Sequence, residues 1–383
     1  MLLATACSID PGARAVLTWL LVRKRRAAAR VGAAPARREA GSSGGAGALV
    51  AVAALVLASC GRLGFDVAAG SHVDAIDAAS SVAADASLLV DSPFAGGTDA
   101  APDAASASAW AAASPAPSTI RDLWGVFALA SGDRWVAGTL GELEHFNGAA
   151  WTATPSAAID TLFMLWGPAP ANVWAVGRSC MLLHWTGSAW SKVTATGCSN
   201  SDLFAIAGAS ATDLWAAGTG GTLMRGNGAT WTTTVTQPSI DYWSVFVQSA
   251  NDVYVTGTKG TLVHWNGTTY VTDPTPPLVT LASVWGTGGE YWVVGGAGTI
   301  LHKVGAGAWT KVTSPTSQFL YAVAGSSTTN VWAVGSAGVI LHYDGSAWTL
   351  AASPTTVTLR GITPVPGGGF AAVGDGGTVI VRP

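Results

Sequence analysis

The run Leu320–Gly325 (LYAVAG), then Asn330–Gly335 (NVWAVG), then Gly338–Thr349 (GVILHYDGSAWT) is the clearest copy of a unit that recurs from about residue 107 onward. The glycine closing its middle segment returns as Gly138, Gly177, Gly218, Gly257, Gly295, Gly335 and Gly374, in steps of 39, 41, 39, 38, 40 and 39 residues. A repeat at a fixed period constrains architecture more tightly than any local propensity does. Each copy holds four short apolar segments with turn residues between them. Asp133, Asn172, Asp213, Asp252 and Asn330 fall in the first turn, where a short polar side chain bonds nearby backbone. Glycine pairs such as Gly218 with Gly221, and Gly374 with Gly377, fall in the second and are expected to supply positive φ there. Asn147-Gly148, Asn227-Gly228, Asn266-Gly267 and Asp344-Gly345 mark the third as a tight hairpin of the primed kind.

Four antiparallel strands in about 40 residues, repeated radially, make one blade of a β-propeller. The rhythm lacks helical spacing, which sets helical solenoids aside. An outer-strand aromatic recurs as Trp151, Trp190, Trp231, Tyr270, Trp309 and Trp348, and the seventh copy stops at Pro383 before reaching its own. Its counterpart lies at the other end. Trp110 sits in Ala109–Pro115 (AWAAASP), which mimics Ala347–Pro354 (AWTLAASP). Residues 107–113 are therefore expected to supply the outer strand of the last blade. The expectation is an all-β domain over 107–383, a seven-bladed propeller of four-stranded antiparallel blades closed by its N-terminal strand.

The chain upstream has a different character. Ala46 to Ser59 is a 14-residue apolar or small run after Arg37 and Arg38, ending Leu57-Ala58-Ser59-Cys60. A basic start, a short apolar stretch and small residues before a cut describe an export signal. Fourteen helical residues reach roughly 21 Å, short of a hydrocarbon core about 30 Å thick. The Leu-Ala-Ser-Cys sequence resembles the lipobox of bacterial lipoproteins. That resemblance implies that residues 1–60 are the signal and that Cys60 is lipidated; a start near Val31 would give the signal an ordinary length. Residues 61–106 are mostly Ala, Asp and Ser, with Asp74, Asp77, Asp85, Asp91, Asp99 and Asp103 spaced along them. Such a segment buries too little apolar surface to offset its chain entropy and reads as a disordered tether, with transient Ala-rich helix as the alternative.

Charge narrows the partners. After Cys60 there are eleven Lys and Arg against twenty Asp and Glu, a balance of −9. No basic stripe is present for phosphate contacts, so nucleic acid is not an expected partner.

The unit Val-Trp-Ala-Val-Gly…Gly-x-Ile-Leu-His-x-Asp-Gly-x-x-Trp resembles BNR or Asp-box propellers, nearest to the photosystem II assembly and stability factor type and to sialidase-like repeats. The resemblance covers 107–383 and is specific for architecture only. The Asp-box places one residue between Asp and Gly, whereas Asp344 and Gly345 are adjacent here. Sialidase chemistry would need three clustered Arg, a Tyr nucleophile with a Glu base, and an acid. The propeller has six Arg, of which Arg121, Arg134 and Arg360 lie nearest inner-strand ends, and its glutamates are Glu142, Glu144 and Glu290. No copy breaks the repeat to insert a catalytic cluster, so no catalytic residue and no cofactor is expected.

His145, His184, His264, His302 and His342 each lie seven residues after the glycine, with Arg225 and Val381 in the other copies. At about 4.7 Å per strand, third strands stand roughly 15–20 Å from the axis, and neighbouring histidines lie too far apart to share a metal. Hydrogen bonding within each blade is the expectation, and no metal. Cys180 and Cys198 occupy loops that an up-down-up-down blade sends to one face, and an exported protein favours a disulfide between them, with two free thiols of no role as the alternative. The candidate binding residues stand at the inner-strand starts: Trp124, Phe163, Phe204, Trp243 and Tyr321, with Ala282 and Arg360 completing the ring. They either line a mouth suited to a protein or glycan ligand or pack between neighbouring blades. The functional expectation is a monomeric, exported, non-catalytic binding or scaffold module, held at the cell envelope through a lipid anchor alone. The alternative is a carbohydrate-active glycosidase or lyase working in the mouth.

Overall fold

A computed structural model describes residues 109–383 apart from positions 131, 157, 276 and 277; Cys60, the expected signal over 1–60 and the expected tether over 61–106 lie outside the described residues. The described residues form seven four-stranded antiparallel sheets. Their inner strands are Leu123–Ala130, Leu162–Ala169, Leu203–Ser210, Tyr242–Ser249, Leu281–Thr287, Leu320–Ser327 and Leu359–Pro364. Each inner strand packs against the next, and the seventh against the first, so the sheets close a ring. The seventh sheet is completed from the other end of the domain: Ala111 pairs with Val381 and Ala112 with Ile380. Trp110, just before that strand, is buried and meets Trp332 edge-on with centroids 5.6 Å apart.

The reason for strands is visible in the second one of each blade. Asn330–Gly335 is buried from Val331 to Gly335, and the equivalent strands of blades two to five are buried in the same way. A strand covered on both faces reads as a continuous apolar run rich in Val, Trp and Ala. The hydrophobic core is accordingly divided into seven clusters, each straddling two neighbouring blades. Trp135 and Leu143 of blade one, for example, pack with Leu162, Val173, Leu183 and Trp190 of blade two. Each outer-strand tryptophan reaches over the preceding blade: Trp190 meets Trp135 at 5.4 Å, Trp231 meets Trp174 at 5.5 Å and Trp348 meets Trp292 at 5.3 Å. Burying an aromatic pair in this edge-to-face arrangement adds roughly 0.5–1.5 kcal/mol beyond its area.

Alternating hairpins sort the connections into two faces. First and third turns lie on one, here the hairpin face. Second turns and blade-to-blade loops lie on the other, the mouth face. The second turn differs from the sequence expectation. Gly218 and Gly374 are extended, with φ of −167° and −163°. They are glycine because a Cβ would strike the carbonyl oxygens of Asp202 and Thr358. Positive φ belongs to the next-but-one and following residues, Gly220 and Gly221 in blade three. The first-turn acids also differ: their carboxylates and amides meet a third-strand side chain, described below.

Candidate functional site

All seven inner strands carry a β-bulge at their second residue. Pairing with the second strand skips from Leu123 to Gly125, Leu162 to Met164, Leu203 to Ala205, Tyr242 to Ser244, Leu281 to Ser283, Leu320 to Ala322 and Leu359 to Gly361. The skipped residues are Trp124, Phe163, Phe204, Trp243, Ala282, Tyr321 and Arg360. A bulge leaves one residue outside the ladder and re-aims its side chain. Here it does so seven times, at the inner-strand starts on the mouth face.

The re-aimed side chains form a circuit. Trp124 meets Phe163 edge-on at 5.2 Å, Phe163 meets Phe204 at 4.9 Å, and Phe204 meets Trp243 at 5.5 Å. Ala282 supplies no ring in blade five, and the gap is filled from outside the repeat. Phe319, in the loop entering blade six, lies 6.2 Å from Trp243 and 4.5 Å from Tyr321. Arg360 closes the circuit, its Cζ 4.0 Å from the Trp124 ring centroid and 5.5 Å from that of Tyr321. Trp124, Phe204, Trp243, Phe319 and Tyr321 are half-buried; Phe163 and Ala282 are buried. The rings therefore pack against their counterparts in neighbouring blades and still keep part of their surface open. Phe319 was outside the sequence expectation because its equivalents in other blades, such as Asp122, Thr161, Asp202 and Thr280, are polar.

Polar groups fix this face. Asp122, Asp202 and Asp241 each accept a backbone N–H of the preceding blade's second turn, at 2.9–3.0 Å from Gly376, Ser179 and Gly220. Arg360 Nε donates to Asp375 Oδ1 at 2.5 Å. Cys180 and Cys198 are joined by a disulfide with Cα atoms 6.0 Å apart. Cys180 occupies the turn position that is glycine in the other six blades, and its N–H donates to the Ser201 carbonyl at 2.6 Å. The bridge thus staples the loop between Phe163 and Phe204.

The histidines stand away from this face. Each Nε2 meets the first-turn group of its own blade: His145 with Asp133, His184 with Asn172, His264 with Asp252, His302 with Glu290 and His342 with Asn330, at 2.8–3.2 Å. Each ring also lies flat on the second-strand aromatic, at 3.9–4.3 Å between centroids. Burial lowers the pKa of His184 and His342. Arg225 takes the histidine's part in blade three, paired with Asp213 at 2.9 Å and lying over Trp215. The glutamates are engaged within the fold. Glu142 pairs with Arg121, Glu144 accepts from Ser118 and Thr119, and Glu290 meets His302. On the hairpin face, a cleft of ≈ 540 Å³ opens between blades four and five beside Asp252, His264 and Tyr291.

No protein-family model matches this sequence, and no curated protein does. The fold is similar to that of YCF48 bound to D1 peptide, with a TM-score of 0.61 at 16% identity over 71% of this chain and 96% of that one. It is similar to YCF48 from Cyanidioschyzon merolae, with a TM-score of 0.60 at 14% identity over 72% and 99%. The WD40 propeller domain of Doa1 aligns with a TM-score of 0.64 at 11% identity over 72% and 97%. These likenesses are of fold.

Proposed function

We propose that this chain is an exported, lipid-anchored, non-catalytic binding module whose mouth takes a segment of another protein. The observation that carries the reading is the circuit of bulge residues. Half-buried Trp, Phe and Tyr rings around a central opening, braced by one another, are the residues that dominate protein recognition. They offer large contact area with little conformational entropy left to lose. YCF48, similar in fold, is found bound to D1 peptide, which supports a protein segment as the ligand class. The Cys180–Cys198 bridge supports export, since disulfides persist in oxidising compartments. Cys60 is the proposed lipid attachment point. The glycosidase reading gains no free carboxylate pair from Glu142, Glu144 and Glu290, each engaged within its own surroundings.

The test is capture of partners from a detergent extract by the mature chain, compared with a Trp124→Ala/Trp243→Ala variant. Loss of capture with a cooperative unfolding transition retained is the expected result. Equal capture by the two proteins would remove the aromatic mouth as the binding face.

A further inference from the structure

We propose that the mouth reads a carboxylate: the ligand segment carries a carboxyl group beside apolar side chains, and Arg360 binds it. This rests on the mouth being the binding face and adds the ligand's chemistry. Arg360 holds the bulge position that five other blades fill with an aromatic ring. The cation therefore stands inside the circuit.

Its geometry is that of a prepared anion site. Nε is taken by Asp375 Oδ1, while neither Nη makes a hydrogen bond among the described residues. A guanidinium has five N–H donors in a fixed fork, so one carboxylate on Nε leaves the terminal pair open for a second. Trp124 and Tyr321 flank the guanidinium plane, and the side chain keeps only 13% of its surface exposed. Little orientation is left to lose on binding, and a charge-assisted hydrogen bond is stronger in such surroundings than in water. Of the other cations on this face, Arg121 is paired with Glu142 at 3.0 Å and Lys259 Nζ donates to the Ser239 carbonyl, while Arg178, exposed in the second turn of blade two, is not one of the bulge residues.

The neighbourhood supplies the apolar half. The backbone of Ile120 lies against the Asp375–Gly377 turn, and the Ile120 side chain is 86% exposed. Arg121 reaches the Leu140 carbonyl, and the Leu140 side chain is 63% exposed. Ile159, at the position of the second blade equivalent to Ile120, is 82% exposed. Blades one and two thus present uncharged aliphatic tips on the same face as Arg360. Isolated exposed apolar residues are ordinary, but several on one rim next to an open aromatic circuit mark a contact surface.

The carboxylate has two sources, an Asp or Glu side chain or a free chain terminus, and the experiment separates them. Fluorescein-labelled hexapeptides of Leu, Phe and Gly would be titrated against the disulfide-intact mature chain. One set is amidated and acid-free, one is amidated with a single Asp, and one is acid-free with a free C-terminus. At least one acid-bearing set is expected to bind about tenfold or more tightly than the acid-free amidated set; which one identifies the source. Arg360→Gln should abolish that preference and leave the acid-free affinity in place, while Trp124→Ala should weaken all sets alike. Equal binding of all three sets to the wild-type chain, or a preference that survives Arg360→Gln, overturns the carboxylate and leaves the mouth standing. No binding by any set overturns both.

Discussion

Trp135, Trp174, Tyr254, Trp292 and Trp332 are each exposed by 2% or less and lie flat against a third-strand histidine, whereas Trp124, Phe204, Trp243 and Tyr321 belong to a circuit of edge-on and tilted ring contacts and stay half-buried. The residue types are nearly the same. What separates them is the backbone: the first group sits in an unbroken ladder between two sheets, the second on bulges that no ladder claims. Pattern follows placement. The histidine stack recurs in five blades, on Trp in four and Tyr in one, and is copied by Arg225 over Trp215 in a sixth. The bulge position changes from Trp to Phe, Tyr, Ala or Arg. The stack holds blades together, and the circuit is free to recognise.

The sharpest way to break that contrast is to truncate both systems. Trp174→Ala should cost about 3–5 kcal/mol, since a fully buried ring leaves a cavity between two blades. Trp124→Ala or Trp243→Ala should cost about 1 kcal/mol each, within the usual range for partly exposed positions. Denaturant unfolding of the three variants measures this, and equal losses would erase the distinction. An effect between those of the buried and the mouth rings is expected at the staple that borders the circuit. Cys180 and Cys198 are 18 residues apart, and replacing both by Ser should lower stability by about 3 kcal/mol on the chain-entropy account. An unchanged melting temperature would mean that the Cys180 N–H bond to Ser201 already holds the loop.

The smallest effect belongs to the stacks whose histidine faces an amide. Burial depresses the pKa of His184 and His342, the latter also through Arg382. The unfolded chain takes up protons at about pH 6.5 that the folded chain refuses. Their contribution is complete above about pH 6.5 and is lost as pH falls below it toward the depressed folded value. Melting temperature should therefore drop in that window, and less so in a His184→Gln/His342→Gln variant. Identical pH profiles for the two proteins would sink the assignment.

Much of the architecture was legible because a rotational repeat writes each fact several times. Seven glycines gave the blade number, and Trp110 announced the closing strand because the seventh copy lacks its own aromatic. The positions of the mouth residues were legible for the same reason. Their bulges were not, since Trp, Phe and Arg carry no turn chemistry and a bulge shows only as a mismatch between paired strands. Phe319 was hidden by its uniqueness. The signal lay in the coincidence of a missing ring at Ala282 with an extra aromatic two residues before Tyr321. The partners of the first-turn Asp, Asn and Glu side chains were not legible, because bonds to a histidine 12 residues away arise from sheet register rather than from local sequence.

The bulges have a consequence for how such a surface changes over time. A residue that contributes nothing to strand pairing can be exchanged with little damage to the sheet behind it, and the seven blades already hold Trp, Phe, Ala, Tyr and Arg at this one position. On the proposed reading of the mouth as the binding face, the inner ring is seven interchangeable letters on a fixed typeface, so new ligand preferences can be reached one substitution at a time at small cost to the fold.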